Sequence, residues 1–362
     1  MITPPRLQIG DRVAAISMSW GGPGAFVHRY AAGKRQLEEE FGLTVIETRH
    51  ALRDPDWLAK NPRARADDLM EAFSDTSIRG IIATTGGDDS IRLVPYVDPA
   101  VIRSHPKALL GYSDTTIAHL LCFQAGLVSF YGPSIMAGFA ENGGMFPYMV
   151  DSIRRTLFCS EPVGVIEPPR GGWTVERLEW AKPELQFQKR ALNPRMPWRF
   201  LQGQALGEGH LIGGCLEVLA WARGTPVWPE ARAFEKAILF LETSEEAPPP
   251  EFVARELRSY AAMGILSRLS GIMLGRPGGK VAITDFDAYD RAITQVVAEE
   301  HGLIDLPIVT CMDFGHTDPM LVLPYGVNAR IDSEREEFTI IDAAVTEPPA
   351  SSPIYTPATA EL

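Results

Sequence analysis

The feature that most constrains the fold is a regular alternation of short apolar runs with segments of helical periodicity. In the first half of the chain the helical patterns cover residues 26–41 and 63–73, and the apolar runs cover residues 12–17, 43–47, 80–84 and 108–110. Continuous apolar strands that alternate with helices are typical of a parallel sheet covered on both faces. The sequence therefore predicts an α/β protein, in which ligands bind beyond the carboxyl ends of the strands.

Changes of composition along the chain predict its division into domains. Residues 1–160 show the strand–helix alternation and form the predicted N-terminal domain. Residues 161–202 are rich in Pro, Trp, Arg and Glu, which is typical of an interdomain linker or a binding loop. Strand and helix patterns resume over residues 203–343, the predicted C-terminal domain. Residues 344–362 are rich in Pro, Ala, Ser and Thr, and such a composition predicts a disordered tail.

Charge and apolar patterning exclude several classes of protein. The net charge is −12 and the basic residues are scattered, whereas a surface that binds a nucleic-acid polymer needs clustered Lys and Arg. No apolar run is long enough to span a bilayer, and the first residues do not resemble a signal peptide. The cysteines lie far apart in apolar surroundings, at positions 122, 159, 215 and 311. They are interpreted as buried free thiols of a cytoplasmic protein rather than as disulfides or a zinc site.

A candidate nucleophile stands at the end of a predicted strand in residues 106–116. A short apolar run ends in Gly-x-Ser at Ser113, and an amphipathic segment follows at once. A strand, a tight turn and a helix in this order would expose the serine hydroxyl and direct free backbone N–H groups beside it. The motif is a partial match, because Thr115 stands where Gly-x-Ser-x-Gly has its last glycine. The alternative interpretation is that Ser113 only caps the helix.

A serine nucleophile needs a base, and the base needs an orienting acid. Among the histidines, His316 is distinctive because it follows a buried strand in a glycine-flanked loop, where site residues are often placed. Glu242 ends an apolar strand, and Glu245 and Glu246 in the next loop are competing carboxylates. His316 could equally be a loop histidine with no task, and Glu242 a solvated or capping carboxylate. The chain order Ser, Glu, His is one that α/β scaffolds use for a triad.

Two glycine-rich turns, at residues 21–24 and 86–90, also follow predicted strands. Neither has the dinucleotide-binding fingerprint: in the first, Pro23 intervenes and Val27 stands in place of the third glycine. No nicotinamide cofactor is predicted.

Several of these segments together resemble the LD-carboxypeptidase family of serine peptidases. The resemblance extends from residue 12 to about residue 341, and its motifs lie at residues 84–90, 111–114, 130–133, 241–246, 271–276 and 315–319. It implies a triad of Ser113, Glu242 and His316, with an oxyanion hole formed by the backbone N–H groups of Gly87 and Asp114. It also implies a Rossmann-like or flavodoxin-like N-terminal domain with a parallel sheet, a smaller C-terminal α/β domain, a site between them and a homodimer. No metal or cofactor is implied.

The resemblance leaves two substrate classes. One is the murein tetrapeptide, from which the family removes D-alanine during cell-wall recycling. The other is an amide that joins an aminoacyl or peptidyl group to an adenylate-like nucleotide, as in the microcin C immunity-type subgroup. The segment 173–180 resembles the immunity-type loop, whose tryptophans stack on the nucleobase, and this predicts that Trp173 and Trp180 bind substrate. The alternative is that these tryptophans, seven residues apart, share a helical face and pack into the core.

The sequence therefore predicts a serine amidase that acts on a peptidyl- or aminoacyl-nucleotide, with a murein LD-carboxypeptidase as the alternative. A hypothesis of another class is a non-catalytic two-domain protein that binds a small molecule. Such a protein would not need Ser, Glu and His at three strand ends, and its serine would not react with a fluorophosphonate probe.

Overall fold

A computed structural model describes residues 1–203 and 206–348 of the chain. It contains two β-sheets, one built mainly from each half of the chain, with helices packed on both. The fold is of the mixed α/β class that the sequence predicts.

The first sheet has six strands, and five of them are parallel. Their bounds are Arg12–Ile16 (β1), Thr44–Glu47 (β2), Ile78–Ala83 (β3), Ala108–Gly111 (β4) and Ser129–Tyr131 (β5). Their spatial order is β2-β1-β3-β4-β5, all in parallel register. This 2-1-3-4-5 order is that of flavodoxin-like doubly wound folds. β4 and β5 are buried along their whole length, as expected for strands covered on both faces.

The helices of the N-terminal half connect these strands or follow the last of them. Their bounds are Gly22–Ala25 (α1), Val27–Phe41 (α2), Pro55–Lys60 (α3), Pro62–Ser74 (α4), Pro99–Ser104 (α5), Thr116–Gln124 (α6) and Pro147–Leu157 (α7). The 15-residue helix α2 ends at Gly42, whose φ of +65° gives the left-handed cap that glycine tolerates.

The second sheet has eight strands, and its central part is parallel. The strands are Gly164–Ile166 (β6), Arg199–Gln202 (β7), Leu206–Cys215 (β8), Ile238–Glu242 (β9), Gly271–Gly275 (β10), Ile308–Met312 (β11), Asn328–Asp332 (β13) and Glu337–Ile340 (β14), in the order β6-β14-β13-β8-β9-β10-β11-β7. The helices of this half are Leu216–Ala222 (α8), Pro250–Ala262 (α9) and Phe286–Thr294 (α10). β9, β10 and β11 are fully buried, and β13 and β14 form an antiparallel hairpin.

Strand pairing crosses the predicted domain boundaries. Strand Leu323–Tyr325 (β12) belongs to the C-terminal half in sequence but pairs antiparallel with β5 in the first sheet. Strands β6 and β7 come from the predicted linker 161–202 and form the two edges of the second sheet. Part of the linker is therefore structural, because β6 pairs with β14 and β7 pairs with β11.

The start of the predicted disordered tail is packed against the protein. Ala344 and Val345 are buried, and Thr346 forms backbone hydrogen bonds with Pro4 and Arg6. The composition of this segment did not indicate these contacts, which depend on the N-terminal residues lying beside it. Residues 349–362 of that predicted tail lie outside the described residues.

Within the described ranges, none of the helices is both long enough and apolar enough to cross a membrane.

Candidate active site

Ser113 lies in the tight turn between strand β4 and helix α6, as the sequence predicts. Its φ of +62° is in the left-handed region that residues other than glycine rarely adopt. Glycine at position 111 allows this close packing, because a Cβ there would lie only 2.8 Å from atoms of Ala83 and Thr115. The resulting bend leaves Ser113 on the wall of a pocket.

His316 and Glu242 reach Ser113 from the second sheet. Nε2 of His316 is 3.1 Å from Ser113 Oγ, and Nδ1 of His316 is 2.7 Å from Glu242 Oε2. The Glu242 side chain is fully buried and the His316 side chain is 4 % exposed. Gly315 makes the approach possible, because a Cβ at this position would lie 2.6 Å from the Glu242 side chain. The structure therefore brings together the three residues that the sequence singles out.

A second carboxylate, that of Glu245, competes with Ser113 for the same nitrogen. Its Oε2 lies 3.0 Å from His316 Nε2, while its Oε1 accepts a hydrogen bond of 2.8 Å from Arg177. Burial lowers the pKa of His316, but Glu242 and Glu245 outweigh this effect and raise it to about 10. Partial burial raises the pKa of Glu245, yet the hydrogen bond and charge of His316 and the nearby Arg177 hold it well below its usual range. Both carboxylates therefore favour the protonated form of the imidazole.

Tyr131, at the end of β5, contacts both Ser113 and Glu242. Its hydroxyl donates a hydrogen bond of 2.5 Å to Glu242 Oε1 and accepts one of 3.1 Å from the Ser113 N–H. The sequence reasoning placed Tyr131 in a family motif but assigned it no role, because a strand pattern does not reveal which residue of another sheet its hydroxyl meets.

The predicted oxyanion donors lie in the two turns beside Ser113. Gly87 follows β3 with a φ of +149°, and a Cβ there would lie 2.2 Å from the Ser19 hydroxyl, so the position requires glycine. Among the described residues, the Gly87 N–H has no hydrogen-bond partner in the protein. Asp114 lies in the first turn of the 3-10 helix Ser113–Thr115, where backbone N–H groups lack intrahelical acceptors. Gly86 allows the two turns to approach each other closely, because a Cβ on it would lie only 2.7 Å from Ser113 Oγ.

The pocket above Ser113 has an aromatic side and a charged side. Its volume is about 420 Å³, within the size range of small-ligand sites. Trp20, Phe26 and Trp180 form the aromatic side, with 6.4 Å between the ring centroids of the two tryptophans. Arg177 and Glu245 lie on the charged side with His316. Trp20 and Phe26 flank the glycine turn 21–24 at the end of β1, so their proximity to a strand end was the available signal for finding them.

Trp173 does not reach the pocket, and its predicted role in substrate stacking is corrected. Its side chain is only 2 % exposed and packs in a small apolar cluster with Phe286 and Cys311. The Arg276 guanidinium lies 4.7 Å from the centre of the Trp173 ring, where a cation–π contact adds to the packing. The ring is buried because packing against these apolar neighbours removes its surface from water.

Trp180, in contrast, lines the pocket and remains partly exposed. Its ring is held from one side by Arg29, whose guanidinium carbon lies 4.4 Å from the ring centre. The same loop is anchored further along by Arg190, which pairs with the buried Glu141 and with Asp318, two residues beyond His316. The loop therefore holds Trp180 in place beside the site.

The closest approach to a metal-ligand set among the described residues is Cys215, Glu242 and His316. Nδ1 of His316 and the Glu242 carboxylate are already joined by a hydrogen bond, and burial raises the pKa of the Cys215 thiol well above its usual value. His316 and Glu242 are therefore already paired with each other, and a protonated Cys215 thiol is a poor metal ligand. These side chains do not fit a metal centre. Of the cysteines, Cys122, Cys215 and Cys311 are buried as predicted, whereas Cys159 is exposed because it lies in the loop after α7.

Two family models match this chain. The LD-carboxypeptidase N-terminal domain matches residues 13–132, and the LD-carboxypeptidase C-terminal domain matches residues 208–331. Together the two matches cover more than half of the chain. They include Ser113, Glu242 and His316.

Curated relatives that carry different functional names are similar to this protein over most of its length. A putative carboxypeptidase of Vibrio cholerae is 31 % identical over 94 % of this chain and 98 % of its own length. The microcin C7 self-immunity protein MccF of Escherichia coli is 25 % identical over 93 % of this chain and 94 % of its own. A probable murein peptide carboxypeptidase of Bacillus subtilis is 26 % identical over 85 % of this chain and 86 % of its own.

Solved structures with the same fold include complexes with nucleotide-like ligands. An MccF-like protein from Streptococcus pneumoniae, in complex with AMP, is 31 % identical with a TM-score of 0.81, covering 91 % of this chain and 98 % of that one. MccF in complex with aspartyl sulfamoyl adenosine is 25 % identical with a TM-score of 0.82, covering 96 % of this chain and all of that one.

Proposed function

Because this chain belongs to the LD-carboxypeptidase family and is a serine-type carboxypeptidase hydrolase, we propose that it hydrolyses an amide bond of a peptidyl- or aminoacyl-nucleotide through Ser113, His316 and Glu242. Membership of a peptidase family argues against the hypothesis of a non-catalytic binding protein. The observation that supports the nucleotide class most directly is the aromatic side of the pocket, within reach of a serine that contacts a histidine.

The proposed mechanism is acyl transfer to serine. His316 Nε2 accepts the proton of Ser113 as Oγ attacks the scissile carbonyl, and Glu242 holds the ring and stabilises the imidazolium. The N–H groups of Gly87 and Asp114 stabilise the oxyanion, an effect of roughly 3–4 kcal/mol per donor in well-studied hydrolases. His316 then donates its proton to the leaving nitrogen, and water releases the acyl group. Glu245 must first be displaced from Nε2 when substrate binds, because its carboxylate and the Ser113 hydroxyl contact the same nitrogen.

The nucleotide part of the substrate is assigned to the aromatic side of the pocket. Trp180 and Trp20 offer π-faces beside the nucleophile, and base stacking on such rings contributes roughly 1–3 kcal/mol per base. Two of the similar structures hold AMP or aspartyl sulfamoyl adenosine, which are ligands with an adenine base. With the base near Trp180, the acyl group of the substrate would extend towards Ser113.

A comparison of two substrates on one enzyme tests this proposal. We expect kcat/KM for an aminoacyl sulfamoyl adenosine to exceed that for a murein tetrapeptide. Ser113→Ala serves as the control for contaminating hydrolases and should hydrolyse neither. A higher kcat/KM for the murein tetrapeptide would reject the nucleotide class and leave the murein LD-carboxypeptidase.

Murein tetrapeptide remains the second candidate substrate because of Arg177. Its guanidinium lines the pocket and could bind the terminal carboxylate of a peptide, once released from Glu245. The murein peptide relative supports the same class. Arg177→Gln should then raise KM for the tetrapeptide much more than for the nucleotide substrate.

The proposal includes a homodimer and a cytoplasmic location, both of which rest on the family resemblance and the cysteine pattern. Light scattering during gel filtration should give twice the chain mass of 39.8 kDa. Cell fractionation of the producing organism checks the location.

A further inference from the structure

The Tyr131 hydroxyl contacts two groups of the site that belong to different sheets. Glu242 ends β9 in the second sheet, whereas Ser113 follows β4 in the first sheet, next to the strand that contains Tyr131. Tyr131 is completely buried, so water does not compete for its hydroxyl. One oxygen atom thus joins the backbone of the nucleophile to the carboxylate that orients the base.

The direction of both hydrogen bonds follows from the protonation of the phenol. Burial and the neighbouring Glu242 raise the pKa of Tyr131 well above its ordinary value, so the group keeps its proton. A phenol has one proton to donate, and a carboxylate can only accept, so the proton is directed at Glu242. The remaining lone pair accepts the Ser113 N–H.

We propose that Tyr131 is a positioning residue that couples the Ser113 turn to Glu242 and so aligns the nucleophile of one sheet with the acid–base pair of the other. The inference rests on the proposed triad and adds a residue to it. A second link between the sheets supports the idea: Thr116 Oγ1 donates to the Ser113 carbonyl and accepts from the Cys215 N–H. Both backbone polar groups of Ser113 are therefore held by side chains that contact the second sheet.

The Ser113 turn has a physical need for such support. A non-glycine residue with positive φ is strained and keeps this conformation only when its surroundings fix it. Without the hydroxyl of Tyr131, the Ser113 N–H would lose its acceptor and the turn would be free to relax. A relaxed turn would move Oγ away from His316, and attack by serine depends steeply on that distance.

The same hydroxyl also affects the proton affinity of the base. A donor to Glu242 withdraws charge from the carboxylate, so removing it makes Glu242 attract the His316 proton more strongly. The other titratable or charged groups that face this pair are Tyr112, Cys215, Glu245 and Arg177. None of them changes in Tyr131→Phe, so a shift of the pH profile would report on the hydroxyl alone.

The test is the pH dependence of Ser113 labelling by a fluorophosphonate, which needs no knowledge of the natural substrate. Tyr131→Phe keeps the ring and its packing on Phe240. The matched control is Tyr260→Phe, since Tyr260 is also buried but its hydroxyl has no hydrogen-bond partner among the described residues. Ser113→Ala gives the background, and melting curves set an assay temperature at which every variant is folded.

We expect Tyr131→Phe to lower the labelling rate at neutral pH by about 10- to 100-fold, as for loss of a hydrogen bond to a charged group, and to move the acid limb to higher pH. Tyr260→Phe should label like the wild type. A Tyr131→Phe variant with the wild-type rate and an unshifted limb would overturn the inference. Labelling that persists in Ser113→Ala would instead refute the proposed triad itself.

A double-mutant cycle separates positioning from simple destabilisation. If Tyr131 acts through Glu242 as well as the Ser113 backbone, its replacement should cost less in a Glu242→Gln background than in the wild type. Fully additive losses, at a temperature where both single variants are folded, would contradict coupling through the carboxylate.

Discussion

At position 113 the chemistry and the backbone make opposite demands. The proposed reaction needs a hydroxyl, but the φ of +62° favours glycine, so the protein holds a serine in a strained conformation. Two hydrogen bonds oppose relaxation of this strain: the Ser113 N–H donates to the Tyr131 hydroxyl, and Thr116 Oγ1 donates to the Ser113 carbonyl. The residue is thus placed for its reaction at some cost in stability.

Replacing Ser113 should separate activity from stability. Ser113→Ala and Ser113→Gly should both abolish amide hydrolysis, because each removes the nucleophile. Ser113→Gly should melt at a higher temperature than Ser113→Ala, since glycine relieves a left-handed strain of about 1–2 kcal/mol. Activity assays and thermal melts of the two variants check this. Equal melting temperatures of the two variants would mean that the turn is not strained. Near-wild-type turnover in either variant would refute the proposed role of Ser113 as the nucleophile.

Glu245 makes the pH dependence of the enzyme testable at the level of one residue. A base must be neutral, and the carboxylates around His316 raise its pKa to about 10, so activity should rise with pH above the ordinary histidine value of roughly 6.5. Glu245→Gln removes one of these carboxylates, which lowers the pKa of His316 and should shift the acid limb of kcat/KM to lower pH.

The control for this shift is Glu246→Gln, which removes the same charge from the next, exposed residue. It should leave the limb close to that of the wild type because its carboxylate is not paired with His316. Equal shifts in both variants would show that general surface charge, and not contact with Nε2, governs the profile. A wild-type rate that stays flat down to about pH 4 would contradict a histidine base.

At the scale of elements, the loop before β7 performs two different tasks within a few residues. Its beginning is fixed to the second domain by Trp173, whereas Trp180 stands at the pocket. Spacing alone could not distinguish them, because neither residue lies in a helix or a strand. The division follows from what each ring meets: an apolar cluster in one case, and an open cavity beside Arg29 in the other.

Substitution of the two tryptophans should separate these tasks. Trp173→Ala should cost roughly 3–5 kcal/mol of stability, as for a large buried aromatic, and should harm hydrolysis of every substrate alike. Trp180→Ala should change stability less and weaken catalysis on a nucleotide-linked amide by roughly 1–3 kcal/mol, with a smaller effect on a peptide amide.

Melting temperatures and the catalytic efficiencies for both substrates provide the measurement. If Trp180→Ala damaged both substrates equally, base stacking would be rejected. A stable Trp173→Ala variant would be inconsistent with its buried position.

At the scale of the whole molecule, the two sheets are interlocked and not merely adjacent. Strand β12 leaves the C-terminal half to complete the first sheet, and the proposed triad takes Ser113 from one sheet and its partners from the other. The Thr116–Cys215 hydrogen bond adds a further link. Neither sheet is complete without chain from beyond the predicted boundaries.

We therefore expect the full chain to unfold in one cooperative transition. Loss of the second sheet would withdraw β12 and expose β5 as an unpaired apolar edge, so the first sheet should not persist alone. Calorimetry should give a van't Hoff enthalpy close to the calorimetric one, and far-ultraviolet dichroism and tryptophan fluorescence should coincide. Two resolved transitions would indicate domains that fold independently.

The sequence by itself determined the strand–helix alternation, the position of Ser113 at a strand end and the strand-end positions of Glu242 and His316. These follow from local patterns, because burial on both faces produces continuous apolar strands and parallel strands end at the same edge. Only the tertiary structure decided that Trp173 is buried, that β6, β7 and β12 complete the sheets, and that Tyr131 and Glu245 contact residues of the proposed triad. Those contacts join residues far apart in the chain, and their geometry depends on how the two sheets pack, which no local pattern encodes.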